Sequence, residues 1–169
     1  MGGIPAVVVT GAAGLGLVDG LAAPSDPLRP PDGAPLTTHG IAEEPVSVLL
    51  LARTPPSPAV TGLRPGDLAD ARRLDASDAA LPLAHLRTAA GGGAFRSALR
   101  YDGIDLRTLT ALAAAGHGRT LLPRSTATGV PGAVAVPLTA PRVVHRTELL
   151  DGGAPRGAAA ETARRLTGV

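Results

Sequence analysis

The sequence predicts an α/β fold whose strands run mainly parallel. Short apolar runs typical of strands alternate with stretches whose apolar residues recur at helical spacing, and 22 glycines and 17 prolines punctuate the chain. The clearest case is the block 101–125, YDGIDLRTLTALAAAGHGRTLLPRS, where a strand end, a capped helix, a glycine stop and a buried strand follow one another. Such a β-α-β unit is the building block of a parallel sheet.

The predicted strands are runs of apolar and β-branched residues that end at glycine, proline or polar residues. The run before Pro123 is the sharpest of them, because proline cannot donate to a sheet ladder. Eight strands are expected, at Ala6–Thr10, Gly20–Ala22, Val46–Ala52, Arg72–Leu74, Ala94–Tyr101, Thr120–Leu122, Ala133–Pro137 and Arg142–Leu150.

The best-supported helix is predicted over Gly103–Ala115. Asp102 is expected to accept from the free N–H groups at its start, Asp105 adds negative charge to the first turn, and Gly116 ends it. One face of this helix is apolar and consists of Leu106, Leu109, Leu112 and Ala113. Further helices are predicted at Pro65–Leu68, Leu81–Ala90 and Ala154–Leu166.

Composition excludes several classes of protein. All 16 basic residues are arginines, scattered singly or in pairs, and 14 acids leave a net charge of +2, so direct nucleic-acid binding by this chain is not expected. Phe95 and Tyr101 are the only aromatic residues, so the core is expected to consist of Ala, Val and Leu. The absence of cysteine excludes disulfides. The sequence shows neither the pattern of a signal peptide nor an apolar segment long enough to span a membrane. We therefore expect no membrane contact and a cytoplasmic location.

Several stretches together resemble one family. The strings LAAAGHG and TLLP within 101–125 are similar to the helix end and following strand of the effector-binding domain of LysR-type transcriptional regulators. The resemblance extends outward to EEPVSVLLLARTPPSP at 43–58, GLRPGDLADARRLDA at 62–76, PGAVAVPL at 131–138 and RVVHRTELL at 142–150. It covers nearly the whole chain.

The resemblance implies a periplasmic-binding-protein type 2 fold with two lobes of mixed, mainly parallel sheets. Lobe I would be discontinuous, 1–46 with 141–169, and lobe II would be 47–140. The family's N-terminal winged helix-turn-helix and the first strand of lobe I have no counterpart here, so lobe I is expected to be truncated at its N-terminus and to expose a strand edge. A homodimer, or a heterodimer with full-length relatives, is expected by analogy.

The function implied is effector sensing, in which a small metabolite in the interlobe cleft controls transcription. Strand ends of the two lobes are expected to line that cleft, since ligands of open α/β sheets bind outside the carboxyl ends of strands. The candidate effector-binding residues are Thr10, Gly11, Asp75, Ser77, Asp78, Tyr101 and Asp102. Caps and turns explain the same residue types equally well. No catalytic residue, metal site or cofactor is expected.

One alternative remains open, a dinucleotide-binding oxidoreductase-like fragment. The segment VVVTGAAGLG at 7–16 resembles the glycine-rich turn of short-chain dehydrogenases with one residue missing. That family also needs a Tyr-x-x-x-Lys pair, which a chain without lysine cannot supply. The histidines, at 39, 85, 117 and 145, lie too far apart in sequence to place two imidazoles on one helix face.

Overall fold

The computed structural model describes residues 8–28, 36–52, 62–68, 70–76, 79, 97–140, 142–153 and 155–168. The chain divides into two compact units. Unit 1 comprises Met1–Glu43 and His145–Val169, and unit 2 comprises Glu44–Val144. Unit 1 is therefore discontinuous in sequence, whereas unit 2 is one continuous segment.

Ten strands and helices and one 3₁₀ helix, Pro65–Leu68, lie in the described residues. None of these helices is long and apolar enough to cross a membrane. In chain order they are β1 (Leu15–Ala22), β2 (Thr37–Leu51), β3 (Arg73–Asp75), β4 (Ser97–Arg100), α1 (Leu106–Ala114), β5 (Thr120–Pro123), α2 (Arg124–Ala127), β6 (Ala133–Pro137), β7 (Val144–Asp151) and α3 (Ala158–Thr167).

Unit 2 contains a two-stranded sheet, β3 with β4, and strands that pair with the second half of β2. β3 and β4 run parallel, with Leu74 opposite Leu99, and a further parallel bridge joins Arg73 to Arg119 just before β5. Both ends of the chain segment β4–α1–β5 therefore run parallel to β3, which lies between them, as in a β-α-β crossover. The second half of β2 pairs antiparallel with β5 and with β6; Val48 is opposite Leu121 on one side and Val136 on the other.

The core of unit 2 forms where α1 covers this sheet. Leu109 and Ala113, one helical turn apart, are completely buried against Leu49 and Leu122 of the strands. Tyr101 packs at the edge of the same cluster. The leucine and alanine of this face of α1 thus pack directly on aliphatic residues of two strands, and no aromatic ring is among the buried members of the cluster.

Unit 1 consists of β1, β7 and the first half of β2, in that spatial order, together with α3. Leu149 and Leu150 of β7 are buried, as is Val8. The helix α3 turns Glu161, Arg164 and Arg165 to the surface, where Glu161 pairs with both arginines. Among the described residues of α3, none is fully buried.

The expectation of mainly parallel strands is wrong for the sheet built around β2. Both pairs that β2 forms in unit 2 are antiparallel. An apolar run such as Val46–Leu51 reports that a strand is buried on both faces, but it contains no information on the direction of its neighbours. The parallel prediction holds for β3 and β4.

The strand predicted at Ala6–Thr10 is also wrong for its described part. Val8 and Val9 are helical, and the N–H of Gly11 donates to the carbonyl of Val8 at 3.0 Å. Gly11 has a φ of 72°, the left-handed conformation in which glycine commonly ends a helix. The strand begins later, at Leu15, and extends through the predicted Gly20–Ala22.

The predicted cap of α1 is displaced by three residues. The helix starts at Leu106, so Asp105 rather than Asp102 is its N-cap. The short helix α2, directly after Pro123, was not predicted, because four residues are too few to show a helical period. The predicted helix Leu81–Ala90 lies outside the described residues, as does the first part of the strand predicted at Ala94–Tyr101.

Candidate functional site

The carboxyl ends of β3 and β4 form the candidate site in unit 2. Asp75 is the last residue of β3. Tyr101 directly follows β4, and its N–H donates to the carbonyl oxygen of Asp75 at 2.8 Å. Because the two strands are parallel, their carboxyl ends lie at one edge of the sheet, where α/β proteins bind ligands. Two of the predicted residues are thus in direct contact.

A tight turn follows Tyr101 and leads into α1. The Tyr101 hydroxyl donates to the carbonyl of Asp105 at 3.1 Å, so the ring folds back along the turn. A Cβ at position 103 would collide with the Tyr101 ring and hydroxyl, so a larger residue there would have to displace the tyrosine. The conformation of the turn therefore depends on the Tyr101 side chain and on the lack of a side chain at Gly103.

Asp105 holds the far end of this turn. Its carboxylate accepts from the backbone N–H groups of Arg107 and Thr108 and from the Thr108 hydroxyl, the last at 2.6 Å. These bonds favour the ionised form, and the pKa of Asp105 lies below its usual value, above all because of the Thr108 hydroxyl. Asp105 is consequently a negatively charged cap at neutral pH.

The charge at this edge is predominantly acidic. Asp102 pairs with Arg100, and both side chains are exposed, so this ion pair contributes little to stability. Asp75 and Asp105 add two further carboxylates. The carboxylates of Asp102 and Asp105 already accept hydrogen bonds, from Arg100 and from the first turn of α1 respectively.

The other predicted residues are not brought to this edge by the described structure. Thr10 and Gly11 belong to unit 1, where both are exposed beside the helical turn at Val8 and Val9. Ser77 and Asp78 lie outside the described residues. The contact between Asp75 and Tyr101, with Asp102 following, is therefore the part of the predicted set that unit 2 assembles.

Unit 1 contains a charged network that sequence reasoning missed. Arg146 of β7 donates to Glu148 at 2.6 Å and to Glu43 of β2 at 3.0 Å. The backbone N–H groups of Ser25 and Leu28 donate to Glu43 and Glu148 respectively, so the network fastens the segment after β1 to the sheet. Only the spacing of Arg146 and Glu148, which puts both on one face of a strand, could have revealed it.

The network is mostly buried. The Glu148 side chain is 1% exposed and that of Arg146 is 18% exposed. Accepting partners stabilise the guanidinium, and the pKa of Arg146 lies above its usual value, mainly because of the bond to Glu148. Gly40 lies against this guanidinium, since a Cβ there would be 2.7 Å from Nη2 of Arg146. A larger residue at position 40 would have to displace the end of the Arg146 side chain.

An open concavity of about 200 Å³ lies beside Arg146, lined by Gly40–Glu43. Small-molecule sites typically enclose about 300–1,000 Å³, so this surface is too small and too open for a buried effector. Two His–Asp pairs also lie in unit 1: His39 with the buried Asp151 at 2.8 Å, and His145 with Asp19 at 3.0 Å. No group of three side chains suited to a metal occurs among the described residues.

The glycine-rich segment does not have the context of a dinucleotide site. Pyrophosphate binding needs a strand, then the glycine turn, then a helix whose N-terminus faces the phosphates. Here the order is reversed, because helical residues Val8 and Val9 precede Gly11 and a strand begins at Leu15. The motif is therefore a helix end followed by a strand.

Comparisons with known proteins identify the fold. No protein-family model matches the sequence, and no curated protein matches it. Among solved structures, the reduced OxyR regulatory domain from Pseudomonas aeruginosa matches with a TM-score of 0.68 and 17% identity over 96% of this chain and 74% of that domain. The effector-binding domain of a BenM variant matches with a TM-score of 0.71 and 17% identity, over 96% and 73%.

A full-length OxyR from Pseudomonas aeruginosa matches as well, with a TM-score of 0.67 and 16% identity. The match again covers 96% of this chain but 54% of that protein, so the chain spans about half the length of the full regulator. The resemblance seen in the sequence is confirmed at the level of structure: this chain has the fold of the effector-binding domains of LysR-type transcriptional regulators.

Proposed function

We propose that this chain is a non-enzymatic effector-sensing domain of a LysR-type regulator. Unit 1 corresponds to lobe I and unit 2 to lobe II, and a small metabolite held in the cleft between the lobes biases their arrangement. The change is passed on to transcription through a DNA-binding segment, either its own or that of a full-length partner in a heterodimer. Such a ligand acts only by binding one arrangement better than another.

The observation that carries this proposal is the fold match over 96% of the chain to regulator domains. The discontinuous unit 1 adds support, because two chain crossings between units are the arrangement in which hinge closure occurs. The reversed order around Gly11 argues against the competing dinucleotide-binding function.

The candidate site suggests the chemistry of the effector. Asp75 and Asp105 each bond to Tyr101 through a backbone carbonyl and Asp102 follows it directly, while Arg100 and Arg107 are the cations of the same segment. We propose an effector that offers hydroxyl or amino donors to this edge, while its other end is bound by unit 1, for which Thr10 and Gly11 remain the candidates.

A thermal-shift screen of small metabolites on the purified chain tests the proposal. A ligand present at 100 times its Kd stabilises the native state by about 2.7 kcal/mol, which for a chain of this size raises the midpoint by roughly 5–10 °C. The screen should include polyols, amino sugars, amines, aromatic acids and nicotinamide cofactors, each at millimolar concentration.

Variants localise any hit. Asp75→Asn and Tyr101→Phe should each reduce the shift, since the first removes a charge and the second a hydroxyl, whereas Asp70→Asn, an exposed carboxylate elsewhere in unit 2, should not. A hit that is insensitive to both variants would contradict the site. A shift with nicotinamide cofactors alone would favour the dinucleotide-binding function instead.

A further inference from the structure

The concavity beside Arg146 in unit 1 has the polar groups of a small binding site. Its lining residues are Gly40–Glu43 of β2 and Arg146 of β7. Ile41 and Ala42 supply aliphatic groups, while charged side chains come from Arg146 and Glu43. A few polar groups in an otherwise apolar lining are typical of small-molecule sites, and about 200 Å³ holds one end of a small molecule rather than all of it.

Nη2 of Arg146 is the hydrogen-bond donor of this concavity. Nε of the same guanidinium donates to Glu148 at 2.6 Å and Nη1 donates to Glu43 at 3.0 Å. Nη2 bonds to none of the described residues, and it lies close to Gly40, since a Cβ there would be 2.7 Å from it. The two carboxylates therefore fix the guanidinium with its third nitrogen beside the space that the glycine leaves open.

Oε1 of Glu43 is the hydrogen-bond acceptor. Both hydrogen bonds that this carboxylate accepts, from Arg146 and from the N–H of Ser25, go to Oε2. Oε1 bonds to none of the residues that the structure describes, and the Glu43 side chain is 31% exposed. An ionised carboxylate oxygen only accepts hydrogen bonds, so a ligand has to offer it a donor.

The charge of the network disfavours ligands of either sign. Glu43 and Glu148 carry two negative charges against the one positive charge of Arg146, and Oε2 of Glu148 is buried without a partner in the described part of the chain. A carboxylate could accept from Nη2 but would be repelled by this net negative charge. An ammonium group would be attracted, yet it has no lone pair with which to accept from Nη2. A neutral group that both donates and accepts suits the two atoms.

We propose that the concavity binds a neutral polyol or sugar through two adjacent hydroxyl groups, one accepting from Nη2 of Arg146 and the other donating to Oε1 of Glu43. A hydroxyl has one donor and two lone pairs, so a pair of them satisfies both protein atoms. The site lies within unit 1 and contains none of the candidate effector-binding residues. It therefore goes beyond the proposed function and does not depend on it.

Titration of the full chain with myo-inositol, followed by proton–nitrogen correlation NMR of the backbone amides, tests the site. The resonances of Gly40–Glu43 should shift to saturation with a Kd in the millimolar range, while those of α1 stay in place. Acetate and methylammonium, the charged probes, should bind at least about tenfold more weakly. The proposal is overturned if about 100 mM myo-inositol produces no saturating shift, or if either charged probe binds as tightly.

A pair of glycine variants locates the binding. Gly40→Ala adds a methyl group where Nη2 lies, so it should raise the Kd for myo-inositol at least about tenfold. Gly66→Ala is the matched control, because a Cβ there would have no neighbouring atom within 4 Å, and it should leave the Kd unaltered. Equal affinities of the two variants would contradict the site.

Glu43→Gln gives a reading that does not depend on the Gly40→Ala protein folding. With its oxygen accepting from Arg146, the glutamine would present its NH₂ group in place of Oε1, so a donor replaces the acceptor. This variant should bind acetate more tightly than myo-inositol, and an unchanged preference would refute the assignment. Asp75→Asn should leave the titration unaltered; if it abolishes binding, the polyol is bound at the edge of β3 and β4 and not in this concavity.

Discussion

Asp105 determines where α1 begins. Its carboxylate accepts from two backbone N–H groups that would otherwise lack partners in the first turn, and from the Thr108 hydroxyl. Asp102, three residues earlier, has the same side chain but pairs with Arg100 instead. Two equivalent residues thus differ in role, because only one lies at the helix boundary.

The first prediction compares these two aspartates. Asp105→Ala should lower the unfolding midpoint by about 2–4 °C, since the cap bonds are lost. Asp102→Ala removes only an exposed ion pair and should change the midpoint by less than about 1 °C. Thermal denaturation followed by circular dichroism measures both. A larger effect at Asp102 would show that the cap is misassigned.

The lowered pKa of Asp105 makes its contribution pH-dependent. A depressed pKa in the folded state means that the stabilisation is fully present above the unfolded value, about 4 for aspartate, and is lost as pH falls through the folded value. The difference in midpoint between the wild type and Asp105→Ala should therefore be constant from pH 7 to 5 and shrink below about pH 4. A difference that grows on acidification would contradict this.

Arg146 illustrates the opposite case of a mostly buried charge. Replacing it with methionine leaves Glu148, which is 1% exposed, without its cation. We expect Arg146→Met to lower the free energy of unfolding by about 2–4 kcal/mol, and Arg146→Met with Glu148→Leu to recover part of that loss. Urea titration measures both quantities.

The exposed pair of Arg164 and Glu161 provides the control for this network. Both side chains are about half exposed or more, so Arg164→Met should change the free energy of unfolding by less than about 1 kcal/mol. If Arg164→Met and Arg146→Met cost the same, burial would not be what distinguishes the two arginines.

At the scale of elements, α1 is anchored by one fully buried leucine. Leu109 packs with Leu49 and Leu122, which come from two different strands. Leu109→Ala should cost about 2–5 kcal/mol through lost burial and the cavity left behind. Ile104→Ala, at a position 80% exposed just before the helix, should stay within about 0.5 kcal/mol. Equal losses would mean that α1 does not cover the sheet.

Local patterns predicted the elements that depend on local causes. The helical spacing of Leu109 and Ala113 and the apolar run of Thr120–Pro123 were sufficient for α1 and β5. Strand direction was not predictable, since Val48 packs equally well between parallel and antiparallel neighbours. The start of β1 is not predictable from composition, because glycine is uncommon in strands and Gly14 and Gly16 flank Leu15, where β1 begins.

The candidate site was predictable only in part for the same reason. Asp75 and Tyr101 were placed together because both follow strands expected to be parallel, and that expectation holds for β3 and β4. In the charged network, Glu43 and Arg146 are 103 positions apart, so no local pattern connects them, although the spacing of Arg146 and Glu148 indicates that these two share a strand face. Contacts between residues far apart in the chain cannot be predicted from the spacing of residues in the sequence.

At the scale of the whole molecule, the uneven burial predicts uneven stability. α1 and α3 are of similar length, nine and ten residues, but α1 buries Leu109 and Ala113 fully whereas no described residue of α3 is fully buried. Amides of α1 should therefore exchange with solvent at least about tenfold more slowly than those of α3. Native-state hydrogen exchange measures this, and equal protection would refute it.

The discontinuity of unit 1 has a consequence for how the chain is made. In the described part of the chain, the side-chain partners of Asp19, Leu28 and His39 belong to β7, which the ribosome synthesises only after the whole of unit 2. At about 5–20 residues per second, the interval between His39 and β7 is roughly 5–20 s. During this time β1 lacks β7, its neighbour among the described strands, whereas residues 44–144 already emerge as an uninterrupted stretch.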